Sequence, residues 1–208
     1  MNRTHLALAS LLAGLALVAG CSGPVAGIPR ELATGPAASP PPAAKHVVLP
    51  PDPAQLDYDA IGAHSSLIPL GVGSDGAPEV PDVHTPGQAG WLSVYDPDPA
   101  THAPLVLIGH VDGERNGKAG QPGVFVHLKN ANLGDKLKVG RKDGTTATYT
   151  VTKVRQVHKA AFPASIYAPT SDNEVRLVTC TGTFDKAKKS YEDSMIVFGT
   201  QDPPGPTS

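Results

Sequence analysis

Pro104-Leu105-Val106-Leu107-Ile108-Gly109-His110-Val111-Asp112-Gly113 is the stretch on which the reading of this chain turns. Residues 105–108 are apolar without interruption, so the segment has no polar face and reads as a strand buried on both sides. Gly109 ends the run and a loop begins at His110. Val175-Arg176-Leu177-Val178-Thr179-Cys180-Thr181-Gly182 has the same build, a strand that ends in Thr-Cys and feeds a loop. Outward from these two, 66–71 closes a short apolar run. Segments 135–139 and 146–154 flank the turn dipeptide Asp143-Gly144, and 194–198 reads as one more strand. Asp75-Gly76 marks another such turn. No stretch carries the apolar stripe of a long helix, and no internal repeat is visible. Short strands separated by turns predict an all-β domain, a closed or nearly closed β-barrel.

The 208 residues suit one domain with extensions. A 40% apolar share is enough for a core, and a net charge of -2 with no block of either sign excludes a nucleic-acid footprint. Gly and Pro number 22 each, and much of that excess lies towards the ends, so it describes tails rather than the fold. At the N-terminus, Arg3 precedes an apolar run over 6–18 that is too short for a comfortable membrane span, and small residues follow it. Residues 1–20 therefore read as a signal peptide. Leu17-Val18-Ala19-Gly20-Cys21 resembles a bacterial lipobox, in which the cysteine becomes the lipid-modified first residue. Cys21 is thus the candidate lipidation site, and the expected location is the outer face of the cytoplasmic membrane, held by a lipid anchor. A plain secretory signal and an uncleaved anchor are the alternatives. Residues 21–54, rich in Pro and Ala, read as a disordered tether, 55–200 as the folded domain and 201–208 as a short tail.

The chain holds two cysteines. Two in an exported protein would ordinarily read as one disulfide, but lipidation of Cys21 removes that option. Cys180 is then a lone thiol in an oxidising compartment, a liability unless it is buried or used. Strand ends feed the loops at one rim of a barrel, where rigid backbone can hold reactive side chains. Cys180 and His110, each at such an end, can form a nucleophile pair. The bland alternative is a small buried thiol and one packing histidine among eight. No CxxC or HxxxH spacing suggests a metal, and no cofactor is expected.

The His and Cys segments resemble those of class F sortases from actinobacteria. Other segments agree in order. They are Ile61-Gly62-Ala63-His64 with Ile68-Pro69-Leu70-Gly71, Glu79-Val80-Pro81, Gly90-Trp91, Gly123-Val124-Phe125, Gly134-Asp135, Ala161-Phe162-Pro163, Phe184-Asp185 and Ser190-Tyr191-Glu192-Asp193. The resemblance implies an eight-stranded sortase-type barrel with short helices or 3-10 turns in its loops. It implies a cysteine transpeptidase in which Cys180 attacks a Leu-Pro-x-Thr-Gly-like sorting signal, His110 protonates the leaving Gly, and an amine resolves the thioacyl-enzyme. The implied partners are surface proteins bearing the signal and a cell-wall precursor or protein that offers the amine. The family also places an Arg after the Cys, and this chain has none beyond Arg176. Lys189, just before Ser190-Tyr191, is the first choice for that role, ahead of Lys186, Lys188 and Arg176, and a solvated charge run is the alternative. The departure leaves open a second class of function, an impaired sortase fold that serves as a surface-binding lipoprotein. Papain-like endopeptidases place Cys first and before a helix, and L,D-transpeptidases place Gly before the Cys and Arg soon after it. Neither pattern matches here.

Overall fold

Alternation of side chains builds the barrel wall. In β8 (Thr146–His158), Ala147, Tyr149 and Val151 are buried, while the threonines between them are not. The same period places Leu137 and Val139 of β7 (Lys136–Arg141) and Leu56 and Tyr58 of β1 (Pro53–Tyr58) inside. β2 (Ala63–Leu70) and β3 (Ala89–Leu92) follow, then β4 (Leu105–Gly109), which is buried along its whole length. The last two barrel strands are β9 (Glu174–Asp185) and β10 (Ser190–Gln201). The computed structural model describes residues 52–93 and 103–203. Cys21, the signal segment, nearly all of the tether and most of the tail lie outside the described residues.

The strands close in the order β1-β2-β3-β4-β9-β10-β8-β7, with β7 pairing back onto β1. This is the closed barrel that the pattern of short strands predicts, with the eight strands that the family resemblance implies, and the described helical turns are short 3-10 segments. Two pairings are parallel, β2 with β3 and β4 with β9. β4 is apolar on both faces because it serves two clusters. Leu105 and Leu107 enter the barrel core. Val106 and Ile108 join Leu70 and Leu92 in an outer cluster, against which Val178 and Tyr167 pack.

Three differences from the sequence reading have physical causes. β1 starts at Pro53, inside the stretch read as tether, because proline is tolerated as the first residue of a strand. β9 and β10 run 12 residues each, beyond 175–180 and 194–198. Backbone pairing carries them on where the sequence turns polar, with a register shift between Tyr191 and Asp193. A hairpin of β5 (Asp112–Arg115) and β6 (Lys118–Pro122) stands apart from the barrel. Its turn is Asn116-Gly117, both residues at positive φ, the dipeptide that a two-residue hairpin loop favours.

Candidate active site

β4 and β9 pair in parallel, with Leu105 beside Val175 and Ile108 beside Val178. Carried two residues further, the same register sets His110 beside Cys180. Thr179 continues the contact past the strand, donating from Oγ1 to Gly109 O at 2.8 Å. Residues 175, 177 and 179 are buried towards the interior, so Cys180 faces outward with Val178 and stays half-buried, with no disulfide.

The loop at His110 is held from behind. Phe125 N donates to His110 O at 3.0 Å, and Gly123 N donates to Val111 O at 2.9 Å. A methyl on Gly123 would fall 2.1 Å from His110 O, so only glycine permits this approach. The imidazole is fixed from the front, with Nε2 2.6 Å from Pro81 O. A carbonyl oxygen can only accept, so Nε2 carries the hydrogen in this contact and Nδ1 takes no part in it.

Three cavities meet at Cys180, which lines all of them. The first, a groove of about 460 Å3, has an apolar wall formed by Val80, Ile108, Phe162, Tyr167 and Val178. Beside its cysteine and histidine stand Ser194 and Lys159. The second, a cleft of about 580 Å3, is lined by Asp112, Glu114, Phe184, Lys189 and Tyr191. It shares only His110 and Cys180 with the groove. The third, of about 440 Å3, includes Lys129, Gln156 and Thr181.

Tyr191 donates to Asp112 Oδ2 at 2.6 Å and meets Phe184 edge-on at 5.1 Å. Its phenol is pushed up to about 12, first by that hydrogen bond, then by burial, then by the charges of Asp112 and Cys180.

The cations named from the sequence separate clearly. Arg176 shares the outward parity of Cys180, but its guanidinium is committed elsewhere. It donates to Glu174 Oε2 at 3.0 Å from Nη2, to Ser165 O at 2.8 Å, and to Ile166 O. It is 5% exposed and stacks over Phe198. Lys188 pairs with Asp185 at 3.1 Å, and the Asp185 carboxyl is held below the usual range first by the backbone N–H of Lys188, then by the Lys188 ammonium and the backbone N–H of Ala187. Lys186 is exposed in the β9–β10 turn. Lys189, also exposed and at positive φ in that turn, is the one of these that reaches a cavity shared with Cys180 and His110.

Sequence reasoning missed Lys159, Ser194 and Tyr191. Ser194 lies directly across from Cys180 on β10, a relation set by strand register that no local motif announces. Among the described residues, no group of three or more His, Cys, Asp and Glu side chains is arranged to hold a metal, and no helix is long and apolar enough to cross a membrane.

The sortase domain model matches residues 58–202, most of the chain and nearly all of the described barrel. The chain belongs to the sortase family. Solved sortases are similar in fold. Sortase A of Corynebacterium diphtheriae, as a lid mutant, superposes with a TM-score of 0.55 at 18% identity, over 75% of this chain and 73% of that one. Sortase C1 of Streptococcus agalactiae gives 0.53 at 20% identity, over 73% and 68%. Sortase C-1 of Actinomyces oris gives 0.51 at 20%, over 73% and 74%. No curated protein matches the sequence. Within a family of cysteine transpeptidases, the cysteine at the meeting point of the three cavities of this sortase is Cys180.

Proposed function

We propose that this sortase is a class F-type, lipid-anchored transpeptidase acting outside the cytoplasmic membrane, with Cys180 as nucleophile and His110 as acid and base. One observation carries the reading. Cys180, midway along β9 rather than at the strand end expected from the sequence, and His110, just past the end of the parallel-paired β4, open into the same apolar groove. That groove suits the apolar Leu-Pro portion of a Leu-Pro-x-Thr-Gly-like signal, because Val80, Ile108, Phe162, Tyr167 and Val178 offer it no charge.

The chemistry runs in two halves. The Cys180 thiolate attacks the Thr carbonyl carbon, and the carbonyl pair moves onto oxygen. As the carbonyl re-forms, the C–N bond breaks and the Gly nitrogen leaves with the proton of the His110 imidazolium. A thioester remains. An acceptor amine, from a cell-wall precursor or another protein, then attacks it and gives its proton to neutral His110, and the C–S bond breaks to restore the thiolate. Lys189 contributes positive charge beside the thiolate from the second cleft. Lipidation of Cys21 would hold the barrel at the membrane surface, near such substrates.

Cys180→Ala and His110→Ala should each abolish cleavage of a fluorogenic Leu-Pro-Ala-Thr-Gly peptide and leave the circular dichroism spectrum unchanged. The double variant should be no worse than either single one, because the two residues act as a unit. Continued cleavage by either variant removes that residue from the mechanism. Wild-type binding of the peptide without cleavage would favour the surface-binding alternative, which the lack of an Arg after Arg176 keeps in play.

A further inference from the structure

Attack on a peptide carbonyl places a full negative charge on its oxygen, and stabilising that charge is commonly the largest single contribution an active site makes. The donors must stand where the carbonyl lies, in the cavity that takes the peptide. Of the cations already considered, Arg176 is committed to Glu174 and to the carbonyls of Ser165 and Ile166, Lys188 is paired with Asp185, and Lys189 lies in the other cleft. Among the described residues lining the groove, the one lysine or arginine is Lys159.

Lys159 begins the 3-10 turn Lys159–Ala161 at the end of β8, next to β10. It is half-buried, and its Nζ donates to Ser190 Oγ at 2.8 Å, which draws the ammonium across the start of β10. Lys159 and Ser190 thus line two of the three cavities that meet at Cys180. An ammonium has three donors, so the bond to Ser190 orients the group and leaves two for a substrate. Ser194 adds a hydroxyl on the same face, directly across the strand pair from Cys180 and also lining the groove.

We propose that Lys159, held by Ser190 and assisted by Ser194, donates to the substrate oxyanion and is a catalytic residue of this chain. The assignment rests on the transpeptidase reading above. It explains how a barrel with no arginine after the nucleophile strand can still meet developing negative charge with a cation. It also makes the β8–β9 connection, and not the β9–β10 turn, the source of that charge.

The test separates acylation from simple alkylation. Acylation by a Leu-Pro-Ala-Thr-Gly peptide passes through an oxyanion, whereas alkylation of Cys180 by iodoacetamide does not. Lys159→Met should lower the single-turnover rate of thioacyl formation, followed by intact mass, by about 100-fold, the usual effect of losing one oxyanion donor. Peptide KM and the iodoacetamide rate should stay within about twofold of wild type, because neither includes the oxyanion. Lys159→Arg should recover much of the acylation rate, and Ser194→Ala should give a smaller loss. Wild-type acylation by Lys159→Met overturns the inference alone. An equal loss of acylation and alkylation overturns it too, because Lys159 would then act on the thiolate. If wild-type protein forms no thioacyl adduct while iodoacetamide still reacts, the transpeptidase reading itself fails, and the inference with it.

Discussion

The phenol of Tyr191 reports on the site because it touches both Asp112 and the field of Cys180. Its value of about 12 lies above the ordinary value of 10.0 for tyrosine. Below the ordinary value both folded and unfolded chains keep the proton, and the stabilisation is complete. As the pH rises through the interval up to about 12, the unfolded chain loses its proton first, so stability falls. Tyr191→Phe should flatten that fall in urea midpoints measured across this interval. The remaining slope comes from Tyr58 and Tyr149, whose phenols are also raised, mainly by burial. An unchanged slope in the variant would place the Asp112 contact outside the native state in solution. Lys189 is a different kind of residue. It is exposed, so solvent screens its charge, and Lys189→Ala should lower steady-state turnover by less than about fivefold, with little effect on stability. Lys189→Arg should raise turnover, and wild-type turnover in Lys189→Ala would mark it as a solvated surface residue. That Cys180 and His110 would share a cavity was legible in the sequence because each follows a segment read as a buried strand. Tyr191, Ser194 and Lys159 were not, because pairing between strands and not spacing along the chain brings them to the site.

Segments rather than single side chains aim His110. The stretch 123–125 lies against the strand end so closely that a methyl on Gly109 would meet Val124 Cγ1 at 2.5 Å. Gly123→Ala must displace the His110 carbonyl, against which its methyl would clash. Peptide cleavage should fall at least as steeply as in a positioning mutant, where a shift of about 1 Å costs about 100-fold. Thermal melting should show a lower midpoint, while the far-ultraviolet spectrum keeps its β character. Full activity in this variant would mean that the loop has slack. The element scale is also where sequence reading succeeded and stopped. The apolar run in β4 and the Asp143-Gly144 turn between β7 and β8 were plain from residue order. The β5–β6 hairpin was not, because its strands are short, polar and outside the barrel, although Asn116-Gly117 signals its turn.

At the scale of the molecule, the barrel core and the groove proposed for the peptide draw on different faces of the same strands. Leu107 is fully buried in the barrel core, beside Trp91 and Leu177 in the neighbouring strands. Leu107→Ala should cost about 2–5 kcal/mol of unfolding free energy in urea titration, a large part of what a domain of this kind has to spare. Val178 lies on the outer face, half-buried in the wall of the groove. Val178→Ala should raise the peptide KM more than it lowers stability, and the reverse order would show that the outer cluster belongs to the core. The part of the groove wall at Phe162 and Tyr167 lies in the connection between β8 and β9 and is fastened to the barrel by Arg176 through the carbonyls of Ser165 and Ile166. That arrangement bears on descent as well as on mechanism. A lineage that keeps β4, β9 and this one clasp can rewrite the rest of the connection without renegotiating the barrel. On the transpeptidase proposal, peptide preference would then change over generations at the pace of loop drift, while Cys180 stays where it was.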